Sequence, residues 1–217
     1  MIVDIRHLYM KRRGVLFALG GAGIIGFTGY QMSGVGATHG PTGVVSISSQ
    51  DDIPDRYEMN ITVEVLQDEI TSSQTARLRV ATTNIGRTRA FSIGGDSCYL
   101  LNRSKGGSDE PEGLWLHEQA EAADIKKEGE RWTRSRFWSD SRGYRGEGCP
   151  NTKYESGQQR STVYELWDDY REDGYLESGT YRWEEQVEIW NDPSASSSES
   201  PAESFIWGFE ISLEEQK

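Results

Sequence analysis

Between Gln74 and Gly86 the chain reads QTARLRVATTNIG, and this alternation restricts the fold more than any other feature. Ala76, Leu78, Val80 and Thr82 share one parity, while Arg77, Arg79, Ala81 and Thr83 share the other. Side chains that repeat every two residues point to opposite faces of an extended chain, so the stretch predicts a strand with one buried and one solvated face. Met59 to Leu66 repeats the pattern, with Ile61, Val63 and Val65 on one side and Asn60, Thr62 and Glu64 on the other. The two segments can therefore pair with their apolar faces aligned. Asn84-Ile85-Gly86 closes the first stretch with residues that tolerate the positive φ of a turn.

Later segments carry the same period. Phe205, Trp207, Phe209, Ile211 and Leu213 alternate without a break, Thr162, Tyr164 and Leu166 share a parity, and so do Tyr181, Trp183, Val187 and Ile189, with Glu185 interrupting that set. Arg87 to Ile93 continues as a further strand until Gly94-Gly95-Asp96 breaks it. Ser104 to Gly113, the Gly-rich stretch from Ser139 to Gly157, Tyr170 to Gly179 and the Ser-rich Asp192 to Glu203 read as connections. Glu118 to Glu130 has room for a helical turn or two, but helix periodicity is nearly absent elsewhere. The fold class expected is all-β: an immunoglobulin-like antiparallel β-sandwich of about seven to nine strands over residues 57–217. An open barrel is the alternative.

The N-terminal residues predict a different role. Lys11-Arg12-Arg13 precedes a Gly-rich apolar run to Tyr30 and small residues through Ala37, the parts of an export signal. The Arg12-Arg13 pair before a weakly hydrophobic run looks like a twin-arginine signal. Residues 1–37 are thus expected to be that signal or a retained membrane anchor, with Met10 as a second candidate start. Residues 38–56 read as a flexible linker in which Val44-Val45-Ser46-Ile47 can add a first edge strand.

Charge narrows the partners. The chain has 23 Lys and Arg against 35 Asp and Glu, a formal net charge of −12. Such a surface repels phosphate backbones and anionic lipid, which argues against nucleic acid and confines any membrane contact to the N-terminal segment. Of the histidines, only His117 falls within the predicted sandwich, so no zinc cluster or Ser/His/Asp triad is expected, and no cofactor. The acid pairs Asp51-Asp52, Asp168-Asp169, Glu184-Glu185 and Glu214-Glu215 lack the spacing of a calcium loop and read as solvated charge. Cys98 and Cys149, the only cysteines, are expected to form a disulfide if the chain is exported. Asn60-Ile-Thr62 and Asn102-Arg-Ser104 fit the N-glycosylation rule. All seven tryptophans lie between 115 and 207: Trp183 and Trp207 read as core; Trp115, Trp132, Trp138, Trp167 and Trp190 are harder to place, with core packing the favoured reading and Trp115, Trp132 and Trp138 the candidates for stacking a sugar.

Three segments, ITVEVLQDEITSSQTARLRVATTNIGRTRAFSIG, STVYELWDD and LESGTYRWEEQVEI, occur in that order. Together with the low lysine and high acid content, they resemble uncharacterised exported surface proteins of halophilic archaea. More distantly they are similar to the immunoglobulin-like domain named after an intracellular proteinase inhibitor of bacilli, the BsuPI type. The resemblance runs from Met59 to Leu213 and implies the fold more than the function; with no catalytic constellation among the residues, the role expected is an exported, non-enzymatic interaction or structural domain, with an unknown protein or a surface glycan as partner. A carbohydrate-binding module and a BsuPI-like proteinase inhibitor are the alternatives. Where lipoprotein relatives carry a lipid-bearing Cys, this chain reads Phe27-Thr28-Gly29-Tyr30, so no lipid anchor is expected.

Overall fold

The computed structural model describes residues 43–93, 107–119, 127–134, 151–196 and 198–216, and these form strands and connections. In chain order the strands are β1 (Gly43–Gln50), β2 (Met59–Gln67), β3 (Glu69–Ile70), β4 (Arg77–Asn84), β5 (Arg89–Ile93), β6 (Leu114–Glu118), β7 (Lys127–Glu128), β8 (Arg131–Arg134), β9 (Thr152–Tyr154), β10 (Gln159–Asp168), β11 (Gly179–Trp190) and β12 (Glu203–Glu215). They build two sheets of six. The first runs β3-β1-β12-β11-β5-β9; the second runs β2-β4-β10-β8-β7, with β6 also pairing on β10.

The alternating segments pair in the register their apolar faces demand. Ile61, Val63 and Val65 lie opposite Thr82, Val80 and Leu78, and Trp183 lies opposite Phe209 with the rings stacked at 5.3 Å. The inward side chains of both sheets meet in one core, to which β2, β4, β6 and β10 bring Ile61, Leu78, Leu116 and Leu166 and β11 and β12 bring Trp183, Val187, Trp207 and Ile211. Each such aliphatic side chain contributes roughly 1.5–3 kcal/mol by leaving water. Glu185 keeps the inward parity of β11 and is itself buried, opposite Trp207, so it breaks the composition of that strand and not its geometry.

More strands form than the sequence predicts. The extra ones are β3, β7, β8 and β9, whose two to four residues are too few to display a period. Inside the expected linker, the edge strand that Val44-Val45-Ser46-Ile47 allowed for does form, and it runs longer than that patch, over 43–50. Here β1 pairs with β12 from Gly43 opposite Glu215 to Gln50 opposite Phe209. Its last residue then reaches the other sheet: the Gln50 amide donates to the Val63 carbonyl at 2.9 Å and accepts from the Val63 N–H at 2.8 Å. That side chain acts as a one-residue strand partner for the outer edge of β2, and it stitches the two sheets together.

The corner after β4 also differs. Neither Asn84 nor Gly86 takes a positive φ; the left-handed residue there is Glu58, at φ 45°. Asn84 is wholly buried and works through its side chain. Its Nδ2 donates toward the carbonyls of Arg87 (2.8 Å), Tyr154 and Glu155 (both 3.2 Å), and its Oδ1 accepts from the Gly86 N–H at 3.1 Å. Buried Arg89 lies alongside, donating to the carbonyls of Tyr57 and Arg87 (both 3.3 Å) and pairing with the Glu58 carboxylate. A Cβ at Gly86 would come within 2.8 Å of the Glu58 Cβ, so glycine is required there for close approach.

Candidate functional site

The side of the second sheet that faces away from the core is unusual for a two-layer protein, because one end of it is aromatic. In β6, Leu114 and Leu116 enter the core while Trp115 and His117 take the opposite parity, and Trp167 of β10 is registered directly against Trp115. All three are buried, at 9%, 4% and 1% exposure for Trp115, His117 and Trp167. Trp115 stacks on His117 at 5.6 Å, and Trp167 meets His117 (5.6 Å) and Trp132 (5.3 Å) edge to face. The cue in the sequence was the unbroken run Leu114-Trp115-Leu116-His117, since a strand covered on both faces reads as a continuous bulky segment and not an alternating one.

Cations cover these rings. The Arg171 guanidinium carbon lies 4.8 Å from the centre of a Trp115 ring, Lys127 Nζ 4.0 Å from Trp132, and the Arg131 guanidinium carbon 5.0 Å from Tyr175. Each placement lets the ring face attract positive charge. Fixed hydrogen bonds hold the group in register: the Trp132 indole N–H donates to the Thr71 carbonyl at 2.6 Å, its backbone N–H donates to the Tyr175 hydroxyl at 2.9 Å, and Lys127 Nζ donates to the Ser72 carbonyl at 2.8 Å.

Two adjacent carboxylates sit under this cluster. Asp168 accepts from the Leu176 N–H at 2.8 Å through one oxygen and from the Thr133 hydroxyl at 3.0 Å through the other. Burial pushes its pKa above the ordinary aspartate value, against the opposing pull of those two donors. The Asp169 side chain is 1% exposed and is taken up by Arg171, whose backbone N–H (3.1 Å), Nε (2.9 Å) and terminal nitrogen (2.5 Å) all donate to it. Asp169 raises the Arg171 pKa in return. The pair expected to be solvated charge is therefore buried and structural. Arg171, two residues on, was the available signal.

The expected site residues separate into three groups. Arg12, Arg13, Cys98, Asn102, Trp138 and Cys149 lie outside the described residues. Asn60 is exposed on β2. Trp115 and Trp132, expected as sugar-stacking candidates, are buried and half-buried: Trp115 is closed in by its packing against His117, Trp167 and Arg171, and Trp132 by Trp167 and Lys127, so they do not form an exposed coplanar row. Trp167 and Trp190 are buried too, the Trp190 indole donating to the Glu199 carbonyl at 3.0 Å.

Among the described residues no three or more His, Cys, Asp or Glu side chains gather as a metal site, and no helix is long and apolar enough to cross a membrane. A depression of about 170 Å³ between Gly43, Ile70, Tyr175, Leu176 and Leu213 is smaller than the cavities that usually enclose a drug-sized ligand. No protein-family profile, curated protein or solved structure matches this chain.

Proposed function

We propose that this chain is an exported cell-surface domain of immunoglobulin-like architecture that acts by binding or by supporting structure, without catalysis. The architectural part draws support from strand order. The sequence β2-β4-β10-β6 opposite β5-β11-β12 follows the A-B-E-D and C-F-G order of the immunoglobulin sandwich, with β1 added beside β12. The short β9 departs from that order, since it flanks β5 yet follows β6 in the chain.

The observation that carries the non-catalytic part is the use made of buried charge. Asp168, Asp169 and Arg89 are where a perturbed acid, base or anion holder would be sought, and each is engaged by backbone groups or a fixed partner side chain. Groups held this way orient the chain at the two ends of the second sheet.

Protease treatment of intact source cells tests the export part. The wild-type protein is expected to be digested from outside, and the R12K/R13K double variant to be protected inside. Protection of both would overturn export, and digestion of both would overturn the twin-arginine route alone. Capture from a native surface extract at high salt tests the rest: a partner retained by the folded chain and lost on unfolding supports a binding role.

A further inference from the structure

We propose that Asn60 is an N-glycosylation site whose glycan lies across an uncharged platform on the outer face of the second sheet. The inference rests on the reading of the chain as exported. Asn60-Ile61-Thr62 is an acceptor tripeptide, and the strand sets its parts correctly. Ile61 is buried in the core, which turns Asn60 and Thr62 together onto the solvent face. β2 is the last strand of its sheet in the described residues, and Gln50 covers its outer edge at Val63, so Asn60 and Thr62 are reached from the solvent face.

Asn84 and Gln50 are consumed by backbone groups at a corner and at a sheet edge. The Asn60 carboxamide makes no hydrogen bond to another described residue, and its nitrogen is available for reaction.

Its surroundings supply a second, independent observation. Register places Thr83 beside Asn60 and Gln159 beyond Thr83, and in the next row Ala81 beside Thr62 and Ser161 beyond Ala81. These six side chains carry amides, hydroxyls and a methyl group but no charge, in a chain whose residues are 27% charged. The Gln159 amide already bridges to the Thr83 hydroxyl at 3.1 Å. Charge begins one row further on, with the Arg79–Glu64 ion pair. A neutral surface of donors and acceptors offers sugar hydroxyls replacements for water without first having to strip an ion of its hydration.

The modification is a group transfer from a lipid-linked oligosaccharide. The Asn60 side-chain nitrogen bonds to the anomeric carbon, and the bond from that carbon to the lipid phosphate oxygen breaks. The lipid phosphate leaves as an anion, and one amide proton passes to a base on the transferase.

Intact mass of the protein from source cells, measured separately for surface and cytoplasmic fractions, tests the proposal. The surface form is expected to exceed its polypeptide mass by a glycan. N60Q and T62A should each lose the whole of one glycan, whereas T62S should retain it. Each variant's denaturation midpoint should stay at that of the enzymatically deglycosylated wild type, since both positions are exposed. Bare polypeptide mass at the surface would overturn the site and leave export standing. Bare mass confined to the cytoplasm would overturn both. An excess mass left unchanged by N60Q would overturn Asn60 as the attachment point.

Discussion

The second sheet is closed at both ends by a buried polar residue, and the two ends solve the problem differently. After β4, Asn84 satisfies the carbonyls of Arg87, Tyr154 and Glu155 and the Gly86 N–H with an uncharged amide. At the end of β10, Asp168 satisfies the Leu176 N–H and the Thr133 hydroxyl with a carboxylate, beside a second carboxylate neutralised by Arg171. An amide supplies both donors and an acceptor, which a corner dominated by carbonyls needs. A carboxylate only accepts, and its burial costs free energy whenever it is ionised. Asn84 therefore adds no pH dependence of its own to its corner, while the end at Asp168 carries a cost that depends on pH.

Exchanging the two chemistries should break this contrast most strongly. N84D places a carboxylate against three carbonyl oxygens, and a loss of about 3–5 kcal/mol at neutral pH is expected in chemical denaturation, with partial recovery in acid. A loss under about 1 kcal/mol would show that the corner does not depend on the amide donors. Next comes R89M, which strands the Tyr57 carbonyl and the Glu58 carboxylate; about 2–3 kcal/mol is expected from the same measurement. R171M should cost less, about 1–2 kcal/mol, because Arg171 is 44% exposed and water replaces part of what Asp169 loses. Its second signature is a change in tryptophan fluorescence, as Trp115 loses its covering guanidinium.

The smallest effect is the most discriminating. Because the Asp168 pKa is raised in the folded state, that state holds more protons than the unfolded chain between the ordinary and the raised values. Stability therefore falls as pH rises through this window, and the cost stays constant above it. D168N keeps an acceptor for the Leu176 N–H and can donate to the Thr133 oxygen, so it should stay within about 1 kcal/mol of wild type at neutral pH and flatten the acid limb of the stability profile. A loss above about 2 kcal/mol would mean that the charge itself is needed, and the contrast between the two ends would fail.

Legibility in the sequence followed the same division. β2, β4, β10, β11 and β12 were readable because a strand with one buried face writes its environment into its own alternation. The two-sheet all-β class follows from those segments. Gln50, Asn84 and Asp168 were not readable as structural residues, because each gets its role from partners 13 to 71 positions away or from a turn that forms only after the sheets meet. The aromatic end of the second sheet was left between core packing, the favoured reading, and sugar stacking for a related reason. Tryptophans in a polar stretch suggest exposure, and only the registry of β6 on β10, with Arg171 folded over Trp115, shows them to be packed.

The pairing of β1 with β12 has a mechanical consequence. Gly43 stands opposite Glu215, so the chain enters and leaves the sandwich side by side, while Glu203 and Ile189 meet at the far end of β11 and β12. Tension applied across that entry and exit acts along the bonds between the two strands and loads them one pair after another, in the manner of a zipper. A pull on one side alone loads no rung directly. The strand pair would stay intact under a pull at one end and would come apart at modest force if drawn from both.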